Sequence, residues 1–82
     1  MKASDILLSL KSHDLSVSKI SNGKVAVRYE NAEISDGIFL VSTYGSGDDF
    51  ESACEDYLLR IRGKKLVFDA CTRKREEIKV LE

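Results

Sequence analysis

Three side chains in this sequence of 82 residues have the chemistry of a nucleophile or a general base: Cys54, Cys71 and the single histidine, His13. A thiol–imidazole pair would require the fold to carry His13 to one of the cysteines, because neither lies near it in the chain. Cys54 falls among apolar residues at helical spacing, where a thiol is inert packing. Cys71 precedes Arg73-Lys74-Arg75, whose charge favours a thiolate, but solvated bases beside a small residue explain that stretch better. With no second histidine and no nucleophile–base spacing, no catalytic residue is assigned and no enzymatic activity is expected.

Phosphate and metal chemistry have weak candidates. Gly45-Ser46-Gly47 ahead of a helix resembles a phosphate cradle, yet Asp48 and Asp49 would repel the anion and the Gly-Lys-Ser/Thr sequence is missing, so it reads as a strand-to-helix turn. Glu33 with Asp36, or Asp48 with Asp49, offers carboxylates to a hard cation without the spacing of a calcium loop. Neither a cofactor nor a metal is expected.

The bases Arg60, Arg62, Lys64, Lys65, Arg73, Lys74 and Arg75 form the best candidate contact surface, for phosphates or for an acidic protein face, where the second helix ends and the last strand departs. Residues 29–59 hold eight acids and no base, and residues 60–75 hold seven bases and one acid, although 13 bases and 14 acids leave the chain at −1. That balance argues against a dedicated polyanion or membrane binder. Only Phe68 stands among the bases, too little aromatic interleaving for base stacking, so a protein partner is the first expectation and nucleic acid the second.

The length fits one domain, 1–82, of a few kcal/mol stability, which leaves a homodimer as an option. Two cysteines are too few for a disulfide framework. The first residues lack the apolar stretch of a signal peptide and the longest apolar run is Ile38 to Val41, so a cytoplasmic protein without a membrane segment is expected.

The elements that would position these residues follow from pattern. Ser4 is an N-cap candidate for a short helix bearing Ile6, Leu7 and Leu10 and ending near Ser12-His13. Leu15 to Ser21 and Lys24 to Glu30 flank Asn22-Gly23, which predicts a two-residue hairpin pairing Ile20 with Val25, Ser18 with Val27 and Ser16 with Tyr29. That register puts Ile20, Val25, Val27 and Tyr29 on the core face.

After a turn at Ser35-Asp36-Gly37, Ile38 to Tyr44 reads as a central strand covered on both faces in its first half, broken by Gly45-Ser46-Gly47. Phe50, Ala53, Cys54, Tyr57, Leu58 and Ile61 recur at helical spacing and define a helix from about Asp48, capped by Asp48 with Glu51, to Arg62, stopped by Gly63. Lys64 to Cys71 is a further strand, and Glu77 to Leu81 alternates weakly enough to be read as an optional C-terminal edge strand. The expected class is α+β, an antiparallel sheet covered on one face by two helices, in the order α-β-β-β-α-β.

Two stretches carry a resemblance. Gly37 to Ala53, with its strand, glycine turn and Asp48-Asp49-Phe50-Glu51-Ser52-Ala53 helix start, resembles HicB-like antitoxin domains, which implies a β-β-β-α-β core and a regulatory role. HicB proteins usually follow that core with a DNA-binding segment, for which the residues after Ala70 are too few. Tyr44 through Arg75, about two fifths of the chain, is similar to small uncharacterised phage and prophage proteins of Gram-positive bacteria. That resemblance implies a host or phage protein as partner and no particular chemistry.

Overall fold

The computed structural model describes residues 2–10 and 13–80. In chain order the elements are α1 (Ala3–Leu8), β1 (Leu15–Lys19), a 3-10 turn at Ser21–Gly23, β2 (Val25–Tyr29), β3 (Ala32–Asp36), β4 (Phe39–Val41), β5 (Gly45–Gly47), α2 (Phe50–Ile61), β6 (Lys65–Phe68) and β7 (Glu76–Lys79). The class is the expected α+β, with two helices and antiparallel strands arranged as β1-β2-β5 and β4-β3-β6-β7.

The two sheets meet at a corner. Only Glu30 and Asn31 separate β2 from β3, and Asn31 has a φ of 60°. The Glu30 N–H donates to the Asp14 carbonyl at 3.0 Å, and the Asp69 N–H donates to the Asn31 carbonyl at 3.1 Å, so strand pairing runs into the corner from both directions. On the other side the returning chain pairs first with β3, as β4, and then with β2, as β5. The strands thus form two antiparallel sheets, of three and four strands, joined as a folded layer at Glu30-Asn31, where a single sheet was expected; the break in pairing at this corner divides them.

The first hairpin departs from its expected register. Asn22 and Gly23 take the positive φ values anticipated for them, 69° and 73°. Ser21 joins them in the turn, however, and Ile20 pairs with Lys24, its N–H donating to that carbonyl at 2.9 Å. The extra loop residue shifts the pairing by one, to Leu15–Tyr29, Val17–Val27 and Lys19–Val25. A one-residue slip turns every side chain over, so Leu15 and Val17 share the face of Val27 and Tyr29 while Ser16 and Ser18 turn away. This register packs Leu15 against the core, which the serines could not do.

Ile38 to Tyr44 is not a covered central strand. Gly37 and Ile38 make the turn, β4 is an edge, and the central strand of its sheet is β3, between β4 and β6. Ser4 is not an N-cap either: it lies inside α1, buried, with its N–H and Oγ both donating to the Glu51 carboxylate. Of the expected apolar face, Leu7 is buried and Ile6 is 40% exposed. The helix stops at Leu8, with Ser9 as its C-cap, short of the expected end near Ser12-His13; β7 runs Glu76–Lys79, and the expected strand end at Leu81 lies outside the described residues. The cap of α2 is Asp49, whose carboxylate accepts the Ser52 N–H at 2.8 Å, rather than Asp48.

One core serves both halves of the folded layer. It joins Leu7 of α1, Val27 and Tyr29 of β2, Ala32 and Ile34 of β3, Ala53, Cys54, Tyr57 and Ile61 of α2, and Leu66 and Phe68 of β6. The buried tyrosines need polar partners, and they find them between elements. Tyr57 Oη accepts the Tyr29 N–H at 3.1 Å, and Tyr29 Oη donates to the Leu7 carbonyl at 2.6 Å. Burial pushes both phenols above their ordinary pKa.

Helix α2 crosses β5 at backbone contact. A Cβ on Gly45 would collide with the Ala53 carbonyl and the Tyr57 backbone, and one on Gly47 with Ser52 and Ala53. These glycines therefore set how close the helix can lie. Gly45→Ala should force α2 outward and destabilise the fold by more than about 3 kcal/mol, since the obstruction is backbone. Gly23→Ala, with nothing within 4 Å of the added carbon, should cost about 1 kcal/mol through its left-handed conformation alone. Urea unfolding followed by circular dichroism distinguishes the two.

Candidate functional site

The fold separates the groups that might have formed a thiol site. His13 lies flat on Phe68, ring centroids 3.6 Å apart and planes 16° from parallel, with Nε2 at 2.7 Å from Glu76 Oε1. Cys71 is exposed and lines a different feature, an open groove of about 430 Å³ shared with Arg28, Asn31, Glu33, Ser42, Asp69, Ala70 and Thr72. Two carboxylates of that groove face any anion that would enter it, and Arg28 is already committed to the Ala32 carbonyl at 2.7 Å. Cys54 is fully buried, and burial pushes its thiol up to about 11, far from a reactive thiolate.

Four of the eight acids in the middle of the chain have partners in the fold. Asp48 pairs with Lys24 at 2.8 Å, Asp49 caps α2, Glu51 holds Ser4, and Asp56 accepts the Ser46 N–H at 2.9 Å and Arg60 Nε at 3.0 Å. Among the described residues no three His, Cys, Asp or Glu side chains gather as metal ligands. The Ser52 backbone bond holds Asp49 below the usual carboxylate range, and the Ser4 hydroxyl does the same for Glu51. Burial acts to raise Asp56, but the Ser46 N–H and Arg60 outweigh it and the net shift is downward.

The seven bases do not make a single patch. The β6–β7 hairpin pairs Lys65 with Lys79 at one end and Phe68 with Glu76 at the other. Arg62 and Lys64 flank the Lys65 end, next to the end of α2, whereas Arg73, Lys74 and Arg75 lie in the loop at the far end. Between them, Glu77 binds Lys65 through Oε1 at 3.2 Å and Arg75 through Oε2 at 3.0 Å, and these contacts, Lys65 first, lower its pKa. Arg60 is paired with Asp56. Among the described residues Arg62, Lys64, Arg73 and Lys74 make no salt bridge.

The feature that sequence reasoning missed is β4. Ile38 is 92% exposed, Phe39 68%, Tyr44 51% and Val41 41%. The pairing aligns Val41 with Ile34, Leu66 and Ile78, so an apolar row runs from the core to the free edge and ends there in Val41. No charge falls between Gly37 and Gly47. That uncharged apolar run was visible in the sequence, but it reads equally as a buried strand, and only its pairing reveals it as an edge.

Fold and site define a small α+β domain with an uncovered apolar strand. Comparison with known proteins returns no matching family model, no curated relative and no solved structure. No helix among the described residues is long and apolar enough to cross a membrane.

The lowered carboxylates set a pH dependence. Groups whose folded pKa lies below the unfolded value stabilise the fold above the ordinary carboxylate range, and that contribution disappears as pH falls through the lowered value. The urea midpoint should therefore hold steady from neutral pH to about pH 5 and fall below about pH 4. Ser4→Ala, which removes the hydroxyl that favours ionised Glu51, should make the decline shallower.

Proposed function

We propose that this chain acts without catalysis, as a protein-interaction module whose contact element is β4. Ile38 and Phe39, exposed at the free edge of a sheet, carry this reading. An edge strand offers unpaired N–H and C=O groups, and folded proteins usually protect such edges with charge, proline or a covering element. Here the edge is apolar and uncharged from Gly37 to Gly47, which suits addition of a strand from a protein partner. A host or phage protein is the partner class that the sequence resemblance implies. The scattered catalytic candidates, with His13 on Phe68 and Cys71 elsewhere, fit the same reading.

A second reading rests on Arg62, Lys64, Arg73 and Lys74, bases without salt-bridge partners among the described residues, which a phosphate backbone would satisfy. Their placement at both ends of one hairpin gives an elongated footprint, interrupted by Glu77.

A photo-reactive residue at position 39, activated in the producing cells, should yield a protein adduct identifiable by mass spectrometry and abolished by Ile38→Asn. Absence of a protein adduct would overturn the first reading. Under the second, Glu77→Gln should tighten binding of a short duplex at low salt by freeing Lys65 and Arg75, and replacing Arg73, Lys74 and Arg75 with alanine should abolish it.

A further inference from the structure

We infer that the strand added at β4 is β4 of a second copy of this chain, paired antiparallel about a two-fold axis at Leu40. This rests on the reading of β4 as the contact element and names its occupant. The backbone sets the position of the axis. Asp36 and Phe39 close a two-residue hairpin around Gly37 and Ile38, and such a closing pair exchanges both of its hydrogen bonds. Direction alternates along a strand, so Leu40 turns its N–H and C=O away from β3 towards the free edge. Two copies of Leu40 can then donate to and accept from each other, as an antiparallel pair centred on a two-fold requires.

The side chains agree with that centre. Pairing about Leu40 places Phe39 opposite Val41 of the second copy and Val41 opposite its Phe39, an aromatic against a β-branched residue on both sides of the axis. It also places Ile38 opposite Ser42. Both Phe39 and Val41 lie on the face of Ile34, so the apolar row that ends at Val41 would continue into the second copy.

Charge selects a second copy over an unlike partner. A strand that pairs with itself sets the residue on its axis opposite its own twin, so a charge there would be repelled. The segment from Gly37 to Gly47 has none. The nearest acid, Asp36, falls at the position opposite Tyr44 rather than opposite itself. A strand built to recognise a charged partner would have no cause to be neutral throughout. The net charge of −1 adds little long-range repulsion between copies. The two four-stranded halves would join into one continuous antiparallel sheet, covering both edges at once.

Sedimentation of the whole chain from about 1 to about 200 μM should show the 9.2 kDa species giving way to one of twice that mass. Leu40→Lys and Leu40→Glu should each weaken the association at least about tenfold, because each sets like charges face to face on the axis. An equimolar mixture of the two variants should restore it, since lysine then meets glutamate. Independently of any variant, the Leu40 amide of the unaltered chain should exchange its hydrogen more slowly as concentration rises. A chain that stays at 9.2 kDa throughout overturns the inference, as does a Leu40→Lys chain that associates like the parent, or a mixture that remains monomeric. The reading of β4 as a contact element is separate and depends on the adduct at position 39.

Discussion

The close seat of α2 on β5 is the constraint from which the rest of the structure follows. With hydrogen in place of a side chain at Gly45 and Gly47, the helix backbone comes down onto the strand. At that height Tyr57 reaches the Tyr29 N–H, and Ala53, Cys54 and Ile61 enter the angle of the folded layer. A larger residue on β5 would hold the helix off and open this angle. The folded layer and the helix therefore specify each other: the strands bend around α2, and α2 fits only because the strand beneath it is nearly bare.

Acids then fasten what the close approach brings together. Asp56 ties the helix to the Ser46 backbone, Asp49 closes its first turn and Glu51 binds α1 through Ser4. Three of the eight acids in the middle of the chain, Asp49, Glu51 and Asp56, are thus hydrogen-bond acceptors aimed at backbone and hydroxyl groups. The bases that follow are more loosely used, with Glu77 holding Lys65 and Arg75. Charge segregation along the sequence reflects this division between an acidic fastening segment and a basic surface segment.

Helix α2 was legible because its signal is local: Ala53, Cys54, Tyr57 and Ile61 repeat at a helical period, and all four are buried. The class and the two helices followed from such local signals. The errors arose where a distant partner decides the outcome. Ser4 has an excellent local reason to cap a helix, and only Glu51, 47 residues away, gives it another role. Ala32 to Asp36 alternates weakly and became a central strand because β4 and β6 flank it. Ile38 to Val41 has the composition of a buried strand, and nothing within the run says that one side of it stays open. The first hairpin failed differently, since a two-residue and a three-residue turn share Asn22-Gly23 and only the packing of Leu15 separates them. The bases stand out in the sequence as a run, but their division between two hairpin ends depends on where β6 and β7 pair.

The attachments of α1 determine when it can form. Six residues are too few for a helix to persist alone in water. Its holds are on Tyr29 of β2 and, 47 residues further along the chain, on Glu51 of α2. During synthesis, at about 5–20 residues per second, α1 must wait seconds for the helix that secures it. Helix α1 therefore takes its shape only after α2 has been made, and while it waits Leu7 lacks the core it will fill.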